Sequence, residues 1–508
     1  MAQIPAVPPL QTFRILVVVA LVVVVACVAP PDSSAEPATS HASSLERQVD
    51  AHLEPYLDTA NFSGSVLIAR RGEILFSKGY GMADMEKPTP NGPRTAYYLA
   101  STSGVFTSAA ILLLEQQGKL SVDDPLSKYL RDWPRGDEIT IHHLLTRSAG
   151  FPNINTMLRY PLWSRSPQTP TSLCKKFRDL PLEFEPGSRP VHSNSNYNVL
   201  ALLIETISGR SYGEFLEQEL FAPLGMKHTA HDDHPERVVA YRARGYRPVG
   251  YAELERDASI HWSVKTGNGS IYATTEDLYR FDRMLAEKSV LDENSVAKLF
   301  TEHFPGHGYG WFLGERFGST QATIGGRSPG FGSSWVRSFD QDVTVIVLGN
   351  LYNGVPTTIA RALVAMTLGE AVTPSPLRAT PPDPAVLARV LGSYQFGPDF
   401  YRSNAKVTIH AQGGHLFNRS AWLIPAGDMT FVHRIYWSTL KFESDESGKV
   451  NRLRYDDFIG NRVESGPSAT VIGGAAVVVL GPLVGVGGIR GLSAARRRRQ
   501  EDSRSSPP

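Results

Sequence analysis

Ser101 opens the stretch of this sequence best suited to nucleophilic chemistry. From Tyr97 to Leu120 (YYLASTSGVFTSAAILLLEQQGKL) a strand end runs into a Ser-rich turn. A helix follows, apolar on nearly every side from Val105 to Leu114, with Gly118 as its stop. A serine displayed at the head of such a helix becomes a nucleophile when a neighbouring base takes its proton. The same position also suits an N-cap, whose hydroxyl accepts hydrogen bonds from the free amides of the first turn. Taken alone, the residue favours the cap.

The elements around Ser101 belong to a large folded chain. With 508 residues, 42% hydrophobic and 20% charged, there is material for more than one core, and a net charge of +1 gives no electrostatic case for nucleic acid. The two cysteines, Cys27 and Cys174, make no disulfide framework. Ser63 to Gly81 alternates about Arg71-Gly72 as a β-hairpin does. Asp123-Asp124-Pro125, Ile139 to Gly150, Gly187 in EPGSRP, Pro223-Leu224-Gly225-Met226, Gly267 to Phe281 and Tyr309-Gly310-Trp311 follow in order.

In spacing and wording these segments, from Leu45 to about Gly369, resemble the serine β-lactamase and penicillin-binding-protein family, especially its class C and esterase-like branch. The resemblance implies an α+β fold: an antiparallel sheet covered by helices, a mostly helical subdomain, and the site between them. It also implies three motifs. Ser101 falls on the serine of S-x-x-K, but Gly104 stands on the lysine. His192-Ser193-Asn194 stands on Y-x-N, keeping the asparagine that binds substrate and replacing the tyrosine that moves protons. Ile324-Gly325-Gly326 stands on H-x-G or K-T-G; a register shifted by one would put Thr323 there instead. The family's oxyanion hole would be formed by the backbone amides of Ser101 and Arg327, which survive side-chain replacement. The Arg327 side chain is expected to be solvated, with an anion contact as the alternative.

His192 has two readings. An imidazole is a better base near neutral pH than a phenol, so a dyad with Ser101 is chemically reasonable. The other is a histidine filling the hole that tyrosine left. His228, His231 and His234 could ligate zinc, but their place after a Pro-Leu-Gly-Met loop favours an exposed polar turn, and no metal is expected.

Residues 1–29 read as an export signal, with Val24-Val25-Ala26-Cys27 similar to a lipobox in which Cys27 is acylated; ordinary cleavage and an uncleaved anchor are the alternatives. Residues 30–44 read as a tether, 45–370 as the family domain, and 371–384 as a proline-rich linker. Residues 385–464 read as a small all-β domain, similar to the lipocalin-like barrels appended to members of this family. Residues 469–489 carry no charge and, at about 1.5 Å per residue, read as a transmembrane helix long enough for about 30 Å, with a flexible Gly/Val-rich tail as the alternative. The basic tail 490–508 is then cytoplasmic and the folded domains lie outside.

Gly104, His192 and Ile324 together point to a membrane-anchored, catalytically impaired homologue in a bacterial envelope. It would bind a small molecule, a cell-wall peptide or a protein in the old cleft. The alternative is an active serine hydrolase with Ser101 as nucleophile, His192 as base and Asn194 orienting substrate. In a third reading the β domain and membrane helix do the work. No cofactor is needed in any of them, and the oligomeric state is not legible.

Overall fold

The computed structural model describes residues 38–463, except 234–237, 251–252, 259, 376, 379 and 420. The export signal with Cys27, the apolar segment 469–489 and the basic tail lie outside the described residues. Among the described residues no helix is long and apolar enough to cross a membrane.

The second half of the expected tether is helical: a helix runs from Ala38 to Asp58. Val49, Leu53 and Tyr56, spaced four and three apart, are buried against the sheet. Once that stripe fixes the helix, each added residue gains a backbone bond, so the helix continues backwards.

The sheet has six antiparallel strands in the order Phe312–Arg316, Ser319–Ser328, Phe331–Ser338, Val343–Gly349, Gly64–Arg70, Glu73–Tyr80. Arg71 and Gly72 both take positive φ at the hairpin expected there. Every residue of Val343–Gly349 is buried because helices cover both faces. On one side lie Ala38–Asp58 and Val355–Thr367. On the other lies Gly104–Gln116, buried without a break from Gly104 to Leu114. Phe106 meets Phe221 and Phe281 edge-on at its centre, each such ring adding about 1.5–3 kcal/mol by burial.

The C-terminal domain is a closed barrel of eight antiparallel strands, from Gly392–Gln395 to Phe458–Val463, which pair to close it. Tyr394, Leu416, Phe431, Leu440 and Leu453 fill its interior. The loop after strand Thr430–His433 docks the barrel on the larger domain. Arg434, 1% exposed, bonds Asn61 Oδ1 at 2.9 Å, the Ala60 carbonyl at 3.0 Å and the Gly250 carbonyl. Trp437 packs on Tyr56.

Candidate active-site cleft

Ser101 sits inside the 3-10 turn Ala100–Ser103, which feeds straight into the buried helix. The cap expectation fails here. The helix begins at Gly104 with no side-chain cap, and Ser103 Oγ instead accepts the Ile271 amide at 3.2 Å. The Ser101 hydroxyl, half-buried, has no hydrogen-bond partner among the described residues. Just before it, fully buried Ala100 takes φ +50°, a left-handed conformation that costs a non-glycine residue about 1–3 kcal/mol. Its neighbours hold it there: the Leu99 amide donates to the Ile271 carbonyl at 2.9 Å, and Ser333 Oγ donates to the Leu99 carbonyl at 2.6 Å. Thr102 Oγ1 meets the same Ser333 hydroxyl at 2.9 Å.

Strand Ser319–Ser328 runs beside this turn. A Cβ on Gly326 would lie 2.6 Å from the Ser101 amide nitrogen and closer still to the Leu99 carbonyl. Only glycine permits that approach. Residues two apart on a strand share a face. Ile324, 3% exposed, therefore points with Gly326 into the larger core, whereas Gly325 faces Thr357 on the other side.

The Arg327 side chain leaves by that other side too, away from Ser101, and is only partly exposed. Nη1 donates to the Ile435 carbonyl at 2.9 Å, and the guanidinium lies over Tyr436 and Tyr352 at 4.7 and 5.4 Å from the ring centroids.

A side chain at Gly104 would crowd Tyr197. A Cβ there would lie 3.1 Å from Tyr197 Cε1, and Tyr197 is buried, bonded through its hydroxyl to Ser108 Oγ and the Leu145 carbonyl at 3.2 Å each. Tyr197 belongs to helix Ser195–Ser208, at whose head Asn194 donates from both amide and Nδ2 to Asn153 Oδ1 at 3.3 Å.

His192 keeps an exposed face. Crowding of the rest of the ring, then the cations Arg147 and Lys265, push its pKa down to about 4. Water on the open face softens the effect, but the direction is clear: the imidazole is neutral at pH 7 and weakly basic. A carboxylate to orient it would have supported a dyad; its charged neighbours are cations instead.

Lys265 was not anticipated. It closes the 3-10 turn Trp262–Lys265, is 8% exposed, and burial alone pushes its pKa down to about 8. Its Nζ has no hydrogen bond or ion pair among the described residues and lies 5.3 Å from the centre of the Tyr160 ring, whose buried hydroxyl also lacks a partner. Gly269 separates it from the serine turn, a Cβ there touching Lys265 Cβ at 3.4 Å and the Ala100 carbonyl at 3.5 Å. Stacking of Tyr98 on Trp262 at 3.6 Å holds the turn, and Tyr98 in turn bonds Asp232. The available signal was a lone lysine in an uncharged run, Trp262 to Thr275, where Lys265-Thr266-Gly267 happens to spell K-T-G away from the late strand.

The histidine run is not an exposed turn. Ala230–His231 pairs with strand Ile271–Ala273, His231 is buried with Nδ1 against Ser270 Oγ at 2.8 Å, and buried Asp232 binds Arg242 at 3.0 Å. His234 lies outside the described residues, and among those described no group of three ligands forms.

A serine turn at the head of a buried helix, flanked by a glycine-bearing strand, has known counterparts. The sequence profile of the beta-lactamase family matches residues 49–368, and the chain belongs to that family. It is 31% identical over 337 residues to the putative penicillin-binding protein PbpX of Bacillus subtilis, covering 65% of this chain and 82% of the relative. It is 26% identical over 442 residues to penicillin-binding protein 4* of the same organism, covering 80% and 96%. The crystal structure of a penicillin-binding protein from Bacillus halodurans superposes with a TM-score of 0.56 at 27% identity, covering 62% of this chain and 99% of that one.

Proposed function

We propose that this family member binds a carboxylate-bearing acyl ligand, such as a β-lactam or a cell-wall peptide, in the cleft beside Ser101 and turns it over little or not at all. The relatives' names, penicillin-binding proteins, suggest the ligand class and a place in the cell envelope. One observation carries the loss of turnover: the Tyr197 ring lies against Gly104, where the family's lysine would stand. Where a catalytic serine or its base is removed from a hydrolase, the rate falls about a millionfold, while a surviving oxyanion hole keeps about a thousandfold over water. Lys265 and Arg147 supply positive charge without an opposing carboxylate, which suits an anionic ligand. Anchoring by Cys27 or by residues 469–489 is part of this proposal, and membrane fractionation of the full chain and of the two truncations tests it.

A second reading is favoured by the retained strain at Ala100 and the close approach of Gly326 to Ser101. In it Ser101 remains a nucleophile, and Lys265 is a better proton acceptor than His192 because its pKa lies nearer the working pH.

Calorimetric titration with benzylpenicillin and its methyl ester tests the binding claim. The acid is expected to bind at least tenfold more tightly, and Lys265→Met to narrow the gap. Equal affinity for acid and ester would overturn it.

A further inference from the structure

A cavity of about 890 Å³ lies between the mouth of the barrel and the back of strand Ser319–Ser328. It is separate from the cleft, on the face of the strand to which Arg327 points. The barrel's own interior is filled, so an occupant would sit at the junction of the domains.

The lining carries one sign of charge. Arg327, Arg402, Lys406 and Arg419 contribute to it, and no aspartate or glutamate does. Surface cations alone would mean little, but two of the groups are built in. His433, 2% exposed, accepts at Nδ1 from the amides of Ile435 and Tyr436 at 3.3 and 3.2 Å. Its proton is therefore on Nε2, and that N–H has no partner among the described residues. Burial, with Arg327 nearby, pushes its pKa down to about 4, so this tautomer persists at neutral pH. Arg327, held between Tyr352 and Tyr436, uses one nitrogen on the Ile435 carbonyl and leaves the remainder of its fork unpaired. Both donors open onto the cavity, where an acceptor on a ligand would take the place of water. Phe400, Val407, Ala421 and Tyr455 give the rest of the wall an apolar and aromatic surface.

We propose that this junction is a second binding site, for a small organic anion with an apolar body, whose anionic group is taken by Arg327 and His433. The barrel supplies the rest of the lining and the larger domain supplies Arg327, so the site joins the two domains, and it does not depend on the reading of the cleft.

The test is calorimetric titration of the whole chain with octanoate, octyl phosphate, 1-octanol and octylammonium, all below their aggregation limits. One octanoate or octyl phosphate per chain is expected, at least tenfold tighter than octanol, with octylammonium weaker still. The better of the two anions tells a carboxylate source from a phosphate ester. Arg327→Gln and the exposed Arg419→Gln should each weaken binding at least fivefold, and Lys265→Met should leave it unchanged. Octanol binding as tightly as the anions, affinities indifferent to both arginine variants, or loss in Lys265→Met would overturn the assignment. The last of these would place the anion in the cleft. Because Arg419 is exposed, its variant remains informative if Arg327→Gln fails to fold.

Discussion

The ring of Tyr197 lies against the α-carbon of Gly104, so that a Cβ at residue 104 would stand 3.1 Å from Cε1. Restoring lysine at 104 is therefore not a simple reversion. Gly104→Lys is expected to lose about 1–3 kcal/mol by overpacking, despite the helix propensity gained. Adding Tyr197→Ala should return part of that loss, and urea melts of the four species in a double-mutant cycle measure the coupling. Simple additivity would show that the two positions do not compete for space.

Two adjacent glycines should respond differently. In Gly326→Ala the new methyl meets backbone at Ser101 within 2.6 Å and at Leu99 closer still, whereas in Gly325→Ala it meets Thr357 Oγ1 at 3.1 Å, a group that can turn away, and the Ser333 carbonyl only at 3.3 Å. Gly326→Ala is expected to weaken benzylpenicillin binding at least tenfold, and Gly325→Ala less than threefold. Equal effects would mean that the strand does not crowd the serine turn.

Lys265 and His192 predict pH signatures of the same sign in different windows, from a common cause. The folded pKa of Lys265, about 8, lies below its unfolded value near 10.5, so the unfolded chain binds more protons between them. Stability contributed by this residue therefore rises from pH 8 to about 10, on the order of 3 kcal/mol in total. Lys265→Met should be more stable than the parent at pH 7 and lack that rise. His192, with a folded pKa near 4 against about 6.5 unfolded, makes stability fall as pH drops through that window, and His192→Gln should flatten the fall. Denaturant midpoints across pH 4 to 10 check both; parallel curves for parent and variants would contradict them.

Arg434 is the buried pin between the domains. Arg434→Met leaves Asn61 Oδ1 and the carbonyls of Ala60 and Gly250 without their donor, at about 1–3 kcal/mol for each acceptor that water does not reach. Limited proteolysis should then release the barrel as a fragment, with cleavage in the 371–384 linker. Cleavage no faster than in the parent would show that the barrel is held by its other contacts.

Local patterns made much of the fold legible. The turn at Arg71-Gly72 fell where alternation breaks about glycine, and the all-apolar run after Ser101 marked a helix covered on every side. The direction of Arg327 was missed, although a residue next to Gly326 on a strand must face the opposite way. Lys265 and Tyr197 were not legible. They reach the serine turn through tertiary packing of segments 96 and 164 residues from Ser101, and no periodicity records which loop supplies a charge to a distant serine. The histidine run misled because a polar composition suggested solvent, whereas pairing with Ile271–Ala273 buried it.

The central claim is that the cleft binds without acyl transfer to Ser101. The most direct measurement is the intact mass of the chain after exposure to a fluorophosphonate and to benzylpenicillin, with peptide mapping of any adduct. The account predicts that benzylpenicillin binds reversibly and that neither reagent leaves a stoichiometric adduct on Ser101 within hours. A full equivalent on Ser101 within minutes, abolished in Lys265→Met or His192→Ala, would contradict it and identify a hydrolase with a relocated base.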